Sequence, residues 1–243
     1  MGELPEKSAS GAPIYRHQAR KRDFELAIGD AESIDAISAH IAKHIGAADL
    51  VYHEIVSDLV HIDLHVVKPT PKRNFYTIVT SGMSDRPMQV PPGCEAYRWA
   101  ELLICLPPQW PINESKESLN DENNYWPLRW LKILARMPHE YKTWLGPGHT
   151  VPNGDPPKSF AKGTKMCVCM LAPLLVCSYE LRVLRLPDRE ILFYAILPLY
   201  QEELEFKQRK GANDLLLLFD KANINELLDV RRKNVCKRWF GIF

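Results

Sequence analysis

Between residues 30 and 46, apolar side chains recur at Ile34, Ile37, Ile41 and Ile45. This is the three-and-four spacing of one helix face, and Gly46 is a natural stop. The pattern then changes. Residues 51–56 and 59–67 are rich in β-branched side chains and flank the short Ser57-Asp58 turn, which predicts a hairpin. In the second run Ile62, Leu64 and Val66 alternate with His61, Asp63 and His65, the pattern of a half-buried strand with one polar face. Residues 75–80 and 98–106 continue the sheet. A polar loop over 113–124 leads into a helix over 126–137, where Trp130, Leu131, Leu134 and Met137 share a face and Pro127 suits the first turn. Residues 139–157 are rich in Gly and Pro and read as a long surface loop within one domain. Residues 166–177 and 191–198 are further strands. Gln201–Lys210 and Ala212–Lys221 read as helices divided by Gly211, and 225–232 as a short helical or turn segment.

The sum is one α+β domain over residues 25–235, with a mostly antiparallel central sheet flanked by helices. A flexible N-terminal lead, residues 1–24, carries the basic cluster Arg16, Arg20, Lys21 and Arg22. Residues 236–243 form a C-terminal tail.

Composition narrows the class. The 243 residues are 46% hydrophobic and 25% charged, ordinary for a globular protein with a sizeable core. A net charge of +1 gives no bulk electrostatic reason for nucleic acid or membrane binding. The N-terminus has no apolar signal-peptide core, and the longest apolar stretch, 166–177, is too short to span a bilayer, so a cytoplasmic location is expected. Cys105, Cys167, Cys169 and Cys177 sit in apolar runs and read as buried thiols. On one strand Cys167 and Cys169 would share a face, yet no second pair completes a zinc set.

Five features hold candidate chemistry. His61-x-Asp63-x-His65 on a strand would project two imidazoles and a carboxylate from one face, a candidate ligand set for zinc or iron. Against this stands a solvated or hydrogen-bonded strand face. The loop Thr80-Ser81-Gly82-Met83-Ser84-Asp85 offers hydroxyls and a carboxylate but no nucleophile-elbow pattern. Ser84 and Asp85 are expected to cap the turn, or to form a recognition loop beside a sheet edge. Glu101, inside the apolar run, is expected on a partly exposed face paired with a base. His149 in its Gly-rich loop is expected to fix that loop. The basic run Arg231-Arg232-Lys233 with Lys237, Arg238, Trp239 and Phe240 reads as a solvated tail that packs one aromatic.

The order of several segments adds a resemblance. An apolar strand, then Ser81-Gly82-Met83-Ser84-Asp85, then a strand with Ala100-Glu101-Leu102, closes on Leu106-Pro107-Pro108-Gln109-Trp110. Further on come Leu134-Ala135-Arg136, the turn at 144–150, the run from Tyr194 to Leu204, and Asp229-Val230-Arg231-Arg232. Together these resemble the suppressor of fused family, in particular its bacterial single-domain members and the N-terminal domain of the animal proteins. The resemblance implies a non-enzymatic binding protein without cofactor. Animal members regulate Hedgehog signalling and hold a short peptide of a transcription factor between two domains, whereas bacterial members look like immunity proteins that bind a cognate polymorphic toxin. The expectation is therefore a protein partner, a toxin domain, met by Ser81, Met83, Ser84, Asp85, Arg86, Glu101 and His149. Alternatives are a metal-dependent enzyme using His61, Asp63 and His65, or a regulator that binds an extended peptide at an open sheet edge. The oligomeric state stays open.

Overall fold

The central strands are apolar at odd and even positions alike, and such a sheet needs a covering layer on each face. The computed structural model, which describes residues 6–18, 21–112 and 118–237, has that arrangement. A small pair, β1 (Glu6–Lys7) and β2 (Pro13–Ile14), precedes α1 (Ala31–Ile45). Next come β3 (Leu50–Tyr52), β4 (Asp63–Val67), β5 (Tyr76–Ser81) and β6 (Ala100–Leu106). After α2 (Glu122–Tyr141) follow β7 (Thr150–Pro152), β8 (Val168–Ala172), β9 (Val183–Arg185) and β10 (Glu190–Leu199). The helices α3 (Gln201–Lys210) and α4 (Ala212–Lys221) follow β10.

One sheet of eight strands runs β3-β4-β5-β6-β10-β8-β7, with β9 also on β10. Its pairs are antiparallel except β6 with β10, so the α+β class and the mostly antiparallel sheet are as expected. On one face Leu64, Ile78, Leu102, Ile104 and Ile196 pack against Trp126, Leu131 and Leu134 of α2. On the other, Val79, Leu103 and Phe193 meet Ile37 and Ile41 of α1. Further along that face, Met170, Leu197 and Leu199 meet Leu204, Leu215 and Phe219 of α3 and α4. Each such side chain, fully buried, stabilises by about 1.5–3 kcal/mol.

Several expectations are corrected. The hairpin has no turn at Ser57-Asp58. Tyr52 pairs with Leu64 and Leu50 with Val66, and residues 53–62 leave the ladder. A two-residue turn at 57–58 would set His53 opposite Ile62. The observed register sets it opposite Asp63 instead, and in a sheet one residue of slip moves a side chain to the other face. The register follows the apolar pattern, because it brings Tyr52 onto the same core as Leu64 and Val66. The excised loop finds other partners: Ala27 N donates to Ser57 O at 3.1 Å, and Leu59 N to Glu25 O at 2.9 Å. Helix α2 begins earlier than its apolar face because Asp121 caps it, accepting from Asn123 N at 2.9 Å. Pro127 thus lies inside the helix, beyond its first turn. Within the Gly- and Pro-rich stretch, Thr150–Pro152 forms β7 on β8.

The lead-in also has structure. β1 and β2 pair, and Arg22 makes a fork on Asp58 at 2.9 and 2.7 Å and an ion pair with Glu140 of α2. Near the other end the Arg232 side chain is only 8% exposed and pairs with Glu203 at 2.6 Å, so the basic run is no purely solvated tail. Arg20, Arg238, Trp239 and Phe240 lie outside the described residues. Cys167 precedes β8 and joins the core under α3 and α4, whereas Cys169 faces α2, so the two thiols do not share a face.

Candidate functional site

The loop after β5 is shaped from beneath. Gly82 has φ of 99°, and a Cβ there would stand 1.7 Å from His61 O, so only glycine allows the chain to turn so close to the β4 approach. The next residues, Met83–Asp85, form one 3-10 turn. Its Ser84 points inward: Ser84 N and Oγ donate to Glu101 Oε1 at 2.9 and 2.6 Å, and Thr80 Oγ1 donates to Oε2 at 2.5 Å. Glu101 is wholly enclosed and has no basic partner among the described residues, which corrects the expectation of a partly exposed face paired with a base. Burial outweighs these hydrogen bonds and pushes its carboxyl up to about 7. Asp85 beside it is pushed up to about 6, again chiefly by burial, and accepts from the α1 cap residue Asp30 N at 3.2 Å.

Ser81, Met83, Ser84 and Glu101 are all fully buried. They set the shape of the loop and have no surface with which to touch a partner. Ser84 Oγ is enclosed with Glu101 and cannot meet a substrate as a nucleophile. Arg86 alone of the expected set is exposed, bound to Glu25 at 2.6 Å. His149 is brought to a different place, edge-on to Trp144 with centroids 4.3 Å apart. Burial, together with the Lys207 charge, drives its ring down to about 4, as befits a loop-fixing residue.

The strand His61-x-Asp63-x-His65 is no solvated face, since Asp63 and His65 are buried. Nor does the structure gather all three residues. His65 Nε2 turns to Ser81 Oγ at 2.9 Å. His61 Nε2 lies 2.9 Å from Asp63 Oδ1, and the third neighbour is His53, whose Nδ1 lies 2.9 Å from Asp63 Oδ2. Among the described residues this is the cluster able to hold a metal ion, all three ligand atoms falling within 4.8 Å of one another. Sequence reasoning missed His53 because it assumed the shorter turn.

Beside this cluster the surface is apolar. Phe24, Leu26 and Ile28 recur at every second position of an extended strap and are 61, 65 and 86% exposed. Leu26 bridges antiparallel to Asp58. That register carries Ile28 opposite Val56, and Val56 and Ile55 are themselves 68 and 100% exposed. The alternation in Phe24-Glu25-Leu26-Ala27-Ile28 was visible in the sequence, but it fell at the border of the supposed lead-in. Arg86, through Glu25, ties the strap to the Ser81–Arg86 loop.

Comparison with known proteins gives the fold a context. The model of the suppressor of fused protein family matches residues 58–233. No curated protein matches the chain. Among solved structures, a suppressor of fused homolog from Neisseria gonorrhoeae superimposes with a TM-score of 0.63 at 17% identity, over 86% of this chain and 100% of that one. A chain of the Sufu-Fu complex gives 0.58 at 15% identity, over 84% and 92%. Drosophila Suppressor of Fused gives 0.56 at 16% identity, over 86% of this chain and 54% of its own. No helix among the described residues is long and apolar enough to cross a membrane. With the family model matched over well more than half its length, the chain belongs to the suppressor of fused family.

Proposed function

We propose that this chain is a non-enzymatic protein-binding domain, an immunity protein that neutralises a cognate polymorphic toxin by direct binding in the cytoplasm. A protein-binding role is supported by the family and by the fold shared with a chain of the Sufu-Fu complex. The toxin partner is favoured by the resemblance to bacterial single-domain members, and the Neisseria homolog is matched along its whole length. The observation that carries the reading is the apolar strap and its neighbours, Phe24, Leu26, Ile28, Ile55 and Val56. Exposed side chains of this size on two adjoining segments, rimmed by the Glu25–Arg86 pair, have the make-up of an interface centre with a polar edge. In this reading the Ser81–Arg86 loop presents Arg86, and Glu101 holds the loop's shape from below.

The test is co-expression with the C-terminal domain of a toxin encoded in the neighbouring reading frame. A stable complex and rescued growth are expected. Phe24→Asp combined with Ile28→Asp should weaken binding by about a hundredfold or more with unchanged circular dichroism. Absence of a complex, or a double variant that protects as well as the parent, would end the reading.

A further inference from the structure

We infer that His53, His61 and Asp63 bind one divalent transition-metal cation of the zinc type. The topology assembles the set. His61 and Asp63 lie two residues apart and share a face, and the Tyr52–Leu64 register makes His53 the cross-strand neighbour of Asp63. Asp63 forms a rigid floor with its side chain 2% exposed, His61 is 19% exposed, and His53 is an open arm at 66%. A cation there would be gripped from the protein side and keep positions free toward solvent, as an open three-ligand zinc site does.

The hydrogen bonds around His61 point the same way. Arg136 donates to Glu54 Oε2 at 2.6 Å, and Ser57 Oγ gives its single proton to the same oxygen at 2.8 Å. Ser57 Oγ can then only accept from His61 Nδ1, 2.9 Å away, which fixes that ring with Nδ1 protonated. Nε2 then faces Asp63 Oδ1 at 2.9 Å, a separation that a proton or a metal ion can bridge. The Glu54–Ser57–His61 relay is also the outer support that orients metal-bound imidazoles in known sites.

Size and softness decide the class of ion. Zinc bonds of about 2.0–2.2 Å place tetrahedral ligand atoms about 3.3 Å apart. The two nitrogens meet different oxygens of Asp63 and the three ligand atoms lie within 4.8 Å of one another, so the set must close by no more than about 1.5 Å around one ion. His53, being exposed, can give that much. Two imidazoles and one carboxylate suit zinc, cobalt or nickel, whereas calcium and magnesium select oxygen donors. On binding, the metal forms bonds to His53 Nδ1, His61 Nε2 and the Asp63 carboxylate. The metal takes the place of any proton on His53 Nδ1 and His61 Nε2, each ring keeping one proton on its other nitrogen and any excess proton passing to solvent, and no oxidation occurs. His65, committed to Ser81, takes no part.

The experiment uses the whole chain, stripped by chelator dialysis, with Zn²⁺ titrated by calorimetry and Co²⁺ by visible absorption. One equivalent per chain and a Co²⁺ ligand-field band are expected. His53→Ala, at an exposed position that spares folding, should weaken binding by more than the about 10- to 100-fold that loss of an outer-shell partner costs. His44→Ala, at one member of the imidazole pair His40 and His44 on α1, should leave binding unchanged. No saturable uptake by the parent, wild-type affinity in His53→Ala, or loss confined to His44→Ala would each overturn the assignment.

Discussion

Glu203 and Glu101 are both wholly enclosed, and the protein accommodates them differently. Glu203, at the start of α3, faces a cation. Arg232 bonds both of its oxygens at 2.6 Å while lying over the rings of Tyr200 and Phe219. Glu101 has only Thr80 and Ser84, and its proton is held near neutrality. A charge matched by a guanidinium acts as a fixed bolt between β10, α3 and the residues after α4. A carboxyl held by hydroxyls keeps a proton to lose. The titratable arrangement lies beneath the loop that borders the proposed binding surface, and the fixed one lies at the far end of the fold.

Arg232→Met gives the largest expected effect. It strands a buried carboxylate and should cost about 3–5 kcal/mol in urea unfolding, most of it recovered when Glu203→Met is added. A small cost for the single variant would erase the distinction between the two sites. Next is Gly82→Ala, which forces a Cβ into His61 O at a φ of 99° and should cost on the order of 3 kcal/mol, read as a lower Tm. An unchanged Tm would mean that the loop is not held against β4.

Glu101→Gln gives the smallest effect and the sharpest contrast. A folded-state carboxyl raised from 4.5 to about 7 contributes stability that is complete below pH 4.5 and fades as pH rises toward 7. Asp85, raised from 3.8 to about 6, fades over a lower window in the same sense. His40, His65, His139 and His149, whose rings burial pushes below 6.5, act oppositely and lose stability as pH falls below 6.5. The difference between parent and variant profiles therefore cancels the histidines and reports Glu101 together with its interaction with Asp85. The variant should gain roughly 2–3 kcal/mol on the parent between pH 5 and pH 8. Parallel profiles would show that Glu101 does not titrate in that range.

Helix α1, the strands β5, β6 and β10, and the pair α3–α4 were legible because periodicity and terminal glycines mark them directly. The site was legible only in fragments. Glu101 was singled out, but a sequence does not say that Ser84, seventeen positions earlier, bends back to enclose it. His53 required the hairpin register, which Tyr52 sets by reaching the α2 core rather than by any local turn signal. Arg232 looked like one of several basic tail residues until its partner Glu203 was placed. In each case the missing information is a long-range pairing, which local spacing does not carry.

The parallel seam between β6 and β10 has a consequence for how the chain is made. Strands β3 to β6 join neighbours in sequence and can assemble from short loops, but Ala100 meets Leu192 only after about ninety intervening residues have been threaded. Until then β6, which becomes a central strand, is an uncovered edge of seven buried-type residues. During synthesis at about 5–20 residues per second, that edge stands open for roughly five to twenty seconds. The growing chain is most prone to aggregate in that interval, and it is then that an early-binding chaperone would have most to protect.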